Sequence, residues 1–157
     1  MFERFYSSQP KVTFYLTFPF KSKRTLYKHT INIRVRYAET DKMGYVYYGN
    51  YATYLEVGRV EMLRSIGVSY RRLEEEGVLL PVVNLNVDYK KPAFYDDNLT
   101  LETELMELPG VKIRFSYKLM RGEELLSLAQ TTLVFLNAES GRPVKCPKEI
   151  LTALTKL

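Results

Sequence analysis

One helix-spaced stripe, with one stretch of strict alternation before it and three after, restricts this chain more than any other feature. Tyr51, Tyr54, Leu55, Gly58, Met62, Leu63 and Ile66 recur at the spacing of a single helix face. The spacing predicts a helix from about 50 to 66, with Asn50 as N-cap and Gly67 just past its end. Glu56–Arg59 and Glu61–Arg64 fall three residues apart on its flank. Gly58 inside the stripe costs about 1 kcal/mol against Ala, which is tolerable where backbone must approach a neighbour closely. Residues 70–76 suit a short second helix closed by Gly77.

Alternation of period two comes before and after this helix. Ile31, Ile33, Val35 and Tyr37 alternate with Asn32, Arg34, Arg36 and Ala38. Val83–Tyr89, Leu99–Leu105 and Val111–Leu119 follow the same rule. Leu125–Leu136 is apolar on both faces and reads as the central strand. Leu108-Pro109-Gly110 and Arg121-Gly122-Glu123 are turn sequences. Short turns demand antiparallel neighbours, so the expectation is an α+β domain with a five-stranded meander curled around one helix. Lys148–Leu157 suits a last turn or helix. One helix cannot cover a whole sheet and its edges, and a second copy of the chain is the natural remedy.

A length of 157 residues fits one domain with a real core. The net charge of +5 is unevenly placed. Residues 1–28 hold six basic side chains and one acid, whereas residues 29–157 hold 17 of each sign. The basic character belongs to an N-terminal extension, and the domain proper is expected at 29–157. Phe14, Tyr15, Phe18 and Phe20 interleave with these bases, which suits base stacking. Residues 12–18 equally read as a strand that adds to a sheet edge. A solvated or loosely packed extension is the preferred reading, and no nucleic-acid partner is expected. No uncharged run approaches the ~20 apolar residues of a membrane span, and no secretory signal is evident. The lone Cys146 agrees with a cytoplasmic home. With one Cys and one His, no metal site is expected, and no cofactor either.

The chemistry concentrates between the first strand and the helix. The run Tyr37-x-Glu39-Thr40-Asp41-x-x-Gly44-x-Val46-Tyr47-Tyr48-x-x-Tyr51 is rich in Gly and Tyr and places Asp41 where the backbone turns. A carboxylate facing helix-start amides outlines a hydrolytic site, in which one group activates a nucleophile and the others hold developing negative charge. The competing view of Asp41 is a turn aspartate that satisfies loop amides. Glu56 is a second carboxylate candidate, though an ion pair with Arg59 is its simpler role.

That run, continued by Tyr54-Leu55-Glu56-x-x-Arg59, resembles the 4-hydroxybenzoyl-CoA thioesterase family of hot-dog-fold acyl-CoA thioesterases. The likeness extends over roughly residues 29–150. It implies a homodimer joined through the sheets, often paired into a homotetramer, with active sites at the dimer interface. It implies that Asp41 is the catalytic carboxylate and that the Tyr48 backbone N–H polarises the thioester carbonyl. Tyr37 matches a tyrosine that some members place beside the carboxylate. Many members carry His where Tyr48 stands, a departure that leaves its N–H untouched.

Gly49, Tyr51 and Val82 are expected at the substrate, with Lys90, Lys112 and Arg114 for its phosphates. The expected activity is hydrolysis of an acyl-CoA, with Asp41 as nucleophile or general base. The alternatives are a thioesterase for acyl carrier protein, whose acidity the basic extension would attract, and a non-catalytic acyl-binding protein.

Overall fold

The computed structural model describes residues 25–157. The strand expected at residues 12–18 lies outside them. Strand β1 (Tyr27–Arg34) begins two residues ahead of the expected domain start. A single 3-10 turn (Tyr37–Glu39) and a loop lead to helix α1 (Asn50–Ser65). Helix α2 (Tyr70–Glu75) follows, then the short strand β2 (Val78–Leu79). Strands β3 (Val82–Tyr89), β4 (Asn98–Leu105), β5 (Lys112–Arg121) and β6 (Glu124–Val134) come next. Strand β7 (Leu136–Asn137) and helix α3 (Lys148–Thr155) complete the chain.

The main sheet is antiparallel and five-stranded, in the order β1-β4-β5-β6-β3, and β2 pairs separately with β7. This corrects the expected meander in two respects. The central strand is β5, and the segment expected there, β6, lies between β5 and β3. Strand β3 pairs with β6 rather than with its sequence neighbour β4. Residues 90–97 therefore cross from one side of the sheet towards the other. The crossover starts beside β6, where the Lys90 and Lys91 amides both donate to the Leu126 carbonyl at 2.8 and 3.0 Å. A register shift at Leu119/Met120 interrupts the alternation where β5 meets β6.

Helix α1 packs on β1 and β4. Tyr54, Leu55, Met62 and Leu63 are buried against Leu99, Leu101, Phe115 and Leu119. Gly58 is the point of closest approach. A Cβ there would meet Leu101 Cδ2 and Thr103 Oγ1, each at 2.6 Å. The helix ends as the sequence indicates, with Gly67 at φ +81°. Its start differs. Gly49 is the N-cap, and Asn50 instead turns its side-chain amide onto the Glu39 carbonyl at 2.8 Å. Helix α2 is capped by Ser69, whose hydroxyl accepts from the Arg72 amide at 3.3 Å. Helix α3 buries Ile150 and Leu154, one turn apart, in the core.

The loop between β1 and α1 is fixed by Glu39, which is 8% exposed. Its carboxylate accepts from the Tyr54 hydroxyl at 2.7 Å, the Arg36 amide at 2.8 Å and Arg36 Nε at 2.8 Å. Burial alone would raise its pKa. The hydrogen bonds from Tyr54 and Arg36, with the Arg36 charge, outweigh burial and hold it below the usual 4.5. A lowered carboxylate pKa adds stability above the ordinary glutamate range, and that stability is lost as pH falls through the folded value.

Two measurements test this account. Gly58→Ala is expected to destabilise the fold by about 1–3 kcal/mol in denaturant unfolding, the usual cost of overpacking. Glu39→Gln is expected to cost about 2 kcal/mol at neutral pH. The gap from wild type should close as unfolding is repeated at progressively lower pH through the acid range.

Candidate active site

Asp41 opens a tight turn after Thr40. The Gly44 amide donates to the Asp41 carbonyl at 2.9 Å, and the Asp41 amide donates to Tyr45 at 2.8 Å. Gly44 sits at φ +78°, a conformation that favours glycine. The side chain takes part as well. Asp41 Oδ1 accepts from the Met43 amide at 2.8 Å and the Tyr45 amide at 3.3 Å. Part of the carboxylate thus does the work of a turn aspartate. Oδ2 carries no hydrogen bond among the described residues.

The turn is anchored to the crossover. The Val46 amide donates to the buried Ala93 at 2.8 Å, and Tyr45 forms a bridge to Phe94. The crossover is in turn held by Asp97, whose carboxylate accepts from the Phe94 amide at 2.8 Å and Arg121 at 2.7 Å.

An open cavity of about 280 Å³ results, lined by Asp41, Tyr48, Tyr51, Tyr89, Lys90 and Pro92 among others. Tyr51 meets Tyr89 edge to face at 4.8 Å between ring centres. The Tyr89 hydroxyl donates to the Tyr48 carbonyl at 3.1 Å. Burial pushes both phenols above their ordinary value of 10, so they remain protonated hydrogen-bond donors at neutral pH. At the start of α1, the amides of Tyr48 and Gly49 donate to no acceptor among the described residues. Free amides at this end of a helix favour negative charge.

Of the residues singled out in the sequence, Asp41, Tyr48, Tyr51 and Lys90 line this cavity, and Gly49 follows directly after Tyr48. Tyr37 does not line it. It is 78% exposed and packs its ring against Tyr95 at 5.5 Å. Val82 stands at the far end of β3 from Tyr89, roughly 23 Å along the strand. Lys112 pairs with Val134 at that same distant end, and Arg114 is engaged by Glu107 at 2.7 Å. Glu56 makes its ion pair with Arg59 at 3.6 Å. Tyr89 was read only as the end of an alternating strand, and Pro92 escaped the sequence reading because the crossover that carries it is invisible to periodicity. The Lys90-Lys91-Pro92 break after an alternating run was the available signal. Among the described residues no group of His, Cys, Asp and Glu is arranged to hold a metal, and no helix is long and apolar enough to cross a membrane.

Comparisons with known proteins bear on the family and the fold. Residues 35–154 match the family model of the thioesterase-like superfamily. The chain is 38% identical over 117 residues to the putative acyl-CoA thioesterase YneP of Bacillus subtilis, covering 74% of this chain and 85% of that protein. It is 37% identical over 126 residues to the acyl-CoA thioesterase YbgC of Haemophilus influenzae, covering 80% and 93%. Among solved structures, the DHNA-CoA thioesterase of Staphylococcus aureus superposes with a TM-score of 0.78 at 32% identity, covering 82% of this chain and 89% of that one. The curled sheet, its helix and these likenesses together establish that the chain belongs to the thioesterase-like superfamily, thioester hydrolases built on the hot-dog fold.

Proposed function

We propose that this chain hydrolyses acyl-CoA thioesters in the cavity of Asp41, with the amides of Tyr48 and Gly49 receiving the carbonyl oxygen. One observation carries the reading. A carboxylate with one oxygen uncommitted shares a cavity wall with the start of α1, where two amides have no internal acceptor. The relatives named acyl-CoA thioesterases support the substrate class.

In the general-base form, Asp41 takes a proton from water as the hydroxyl adds to the carbonyl carbon. The carbonyl electrons move onto oxygen, where the amides and the helix dipole stabilise them. Collapse of the adduct breaks the C–S bond, and the leaving thiolate takes up the proton. In the nucleophilic form, Asp41 attacks the carbonyl carbon itself, the C–S bond breaks to release the CoA thiolate, and water then cleaves the resulting anhydride to give the acid and regenerate the Asp41 carboxylate. Lys90 and Lys91 stand at the cavity wall where the phosphates of CoA would enter.

The active unit is proposed to be a homodimer formed along β3. This strand is an edge of the sheet, and Val83, Leu85 and Tyr89 on it are 55%, 44% and 46% exposed. An open edge carrying such side chains favours pairing with another copy. A partner there would wall the cavity at Tyr89.

Asp41→Asn is expected to keep the melting temperature and to lose about 10²–10⁴ of turnover, read as thiol release from acyl-CoA. Near-normal turnover would remove Asp41 from the mechanism. Leu85→Glu is expected to shift the sedimenting mass from dimer to monomer. A wild-type chain that sediments as a monomer would defeat the proposed assembly.

A further inference from the structure

Arg59 is a buried cation without an adequate counter-charge. Its side chain is 8% exposed, and its one ion pair, to Glu56, is long at 3.6 Å and ends on a carboxylate 64% exposed. Its Nε is enclosed and donates no hydrogen bond, and Thr103 Oγ1 nearby on the sheet is likewise enclosed and unpartnered. Burying a guanidinium costs several kcal/mol unless something pairs with it. From the other elements it meets the hydroxyls of Tyr70 on α2 and Tyr117 on β5, and the Glu74 carboxylate on α2 acts on the same Tyr70. Tyr70 already donates to the Leu80 carbonyl at 3.0 Å, and Tyr117 is shared with Thr131 at 2.8 Å.

The placement of this cation relative to the cavity is informative. Tyr51 lines the cavity, and Arg59 follows eight residues later on α1, about 12 Å along the helix. Tyr89 also lines the cavity. On the same sheet face, four residues back and roughly 13 Å along β3, stands Leu85, whose partner Thr131 bonds the Tyr117 hydroxyl. The two paths run from the same place to the same place. Leu85 and Tyr89 between them are part-exposed in the single chain, so the trough opens on the edge that a partner paired along β3 would cover.

Resting on the thioesterase reading, we infer that the acyl group lies along this trough and that Arg59 is a specificity-determining residue for a substrate whose far end carries a carboxylate. The cavity end of the trough holds the thioester, the apolar β3 side chains accept the methylenes, and the guanidinium pairs with the distal anion.

The test compares octanoyl-CoA with suberyl-CoA, which has the same chain length and an ω-carboxylate. Wild type is expected to show a kcat/KM about tenfold or more higher for suberyl-CoA, the weight of one charge-assisted hydrogen bond. Arg59→Met is expected to erase that preference while leaving octanoyl-CoA within about twofold, and Arg59→Lys to retain part of it. Calorimetric titration with suberate and octanoate reads the same preference without catalysis. Equal kcat/KM values in wild type, with suberate binding no tighter than octanoate, would overturn the inference even if Arg59→Met failed to fold. So would a folded Arg59→Met that loses both substrates alike. Tighter binding of suberate with no thiol released from any acyl-CoA would support the trough and sink the hydrolase reading instead.

Discussion

The buried carboxylate of Glu39 holds the site in register with the fold. Its side chain receives the Tyr54 hydroxyl from the second turn of α1 and two groups of Arg36 from the end of the first strand. Its carbonyl receives the Tyr47 amide and the Asn50 side chain. One residue therefore fixes both where the strand leaves the sheet and where the helix begins. The loop between them, which carries Asp41 and the amides of Tyr48 and Gly49, has both its ends fixed by this one residue. A charged group can serve this purpose because every oxygen is paired. Left unpaired, the same burial would be a liability.

The second support comes from the crossover. Strand β3 lies on the far side of β6, so the chain must return across the sheet before β4 can pair with β1. That return places Ala93 beneath Val46 and brings Tyr89, Lys90 and Pro92 to the cavity wall. It is tied down by Asp97 and Arg121 rather than by an apolar plug. The Asp41 loop and the opposite wall of the cavity thus come from two segments distant in sequence, each bonded to the other by backbone.

The sequence made the elements legible wherever one face was buried and the other wet. Helix α1 and strands β1, β4 and β5 were readable for this reason, and Gly58 was read as a point of close approach. Tyr37 and Asp41 stood side by side in one motif, yet the 3-10 turn sends the Tyr37 ring out to Tyr95 and keeps Asp41 at the cavity. Lys112 and Arg114 were plausible phosphate ligands by type alone. Their register on β5 carries them to the end of the sheet away from Asp41 of the same chain. Arg59 looked like the outer member of a helical ion pair, and only packing against Tyr70 and Tyr117 shows how little of its charge Glu56 meets.

By itself the sequence determined the helix, the alternating strands, the turn that presents Asp41 and the family to which the chain belongs. These depend on local periodicity, on turn chemistry and on a motif short enough to be read in one line. Tertiary structure alone decided which strand is central, which edge is left open and which of the many cations and tyrosines meet at one cavity. Strand order is set by long-range pairing and by the path of the crossover, and neither leaves a mark on the periodicity of any single segment.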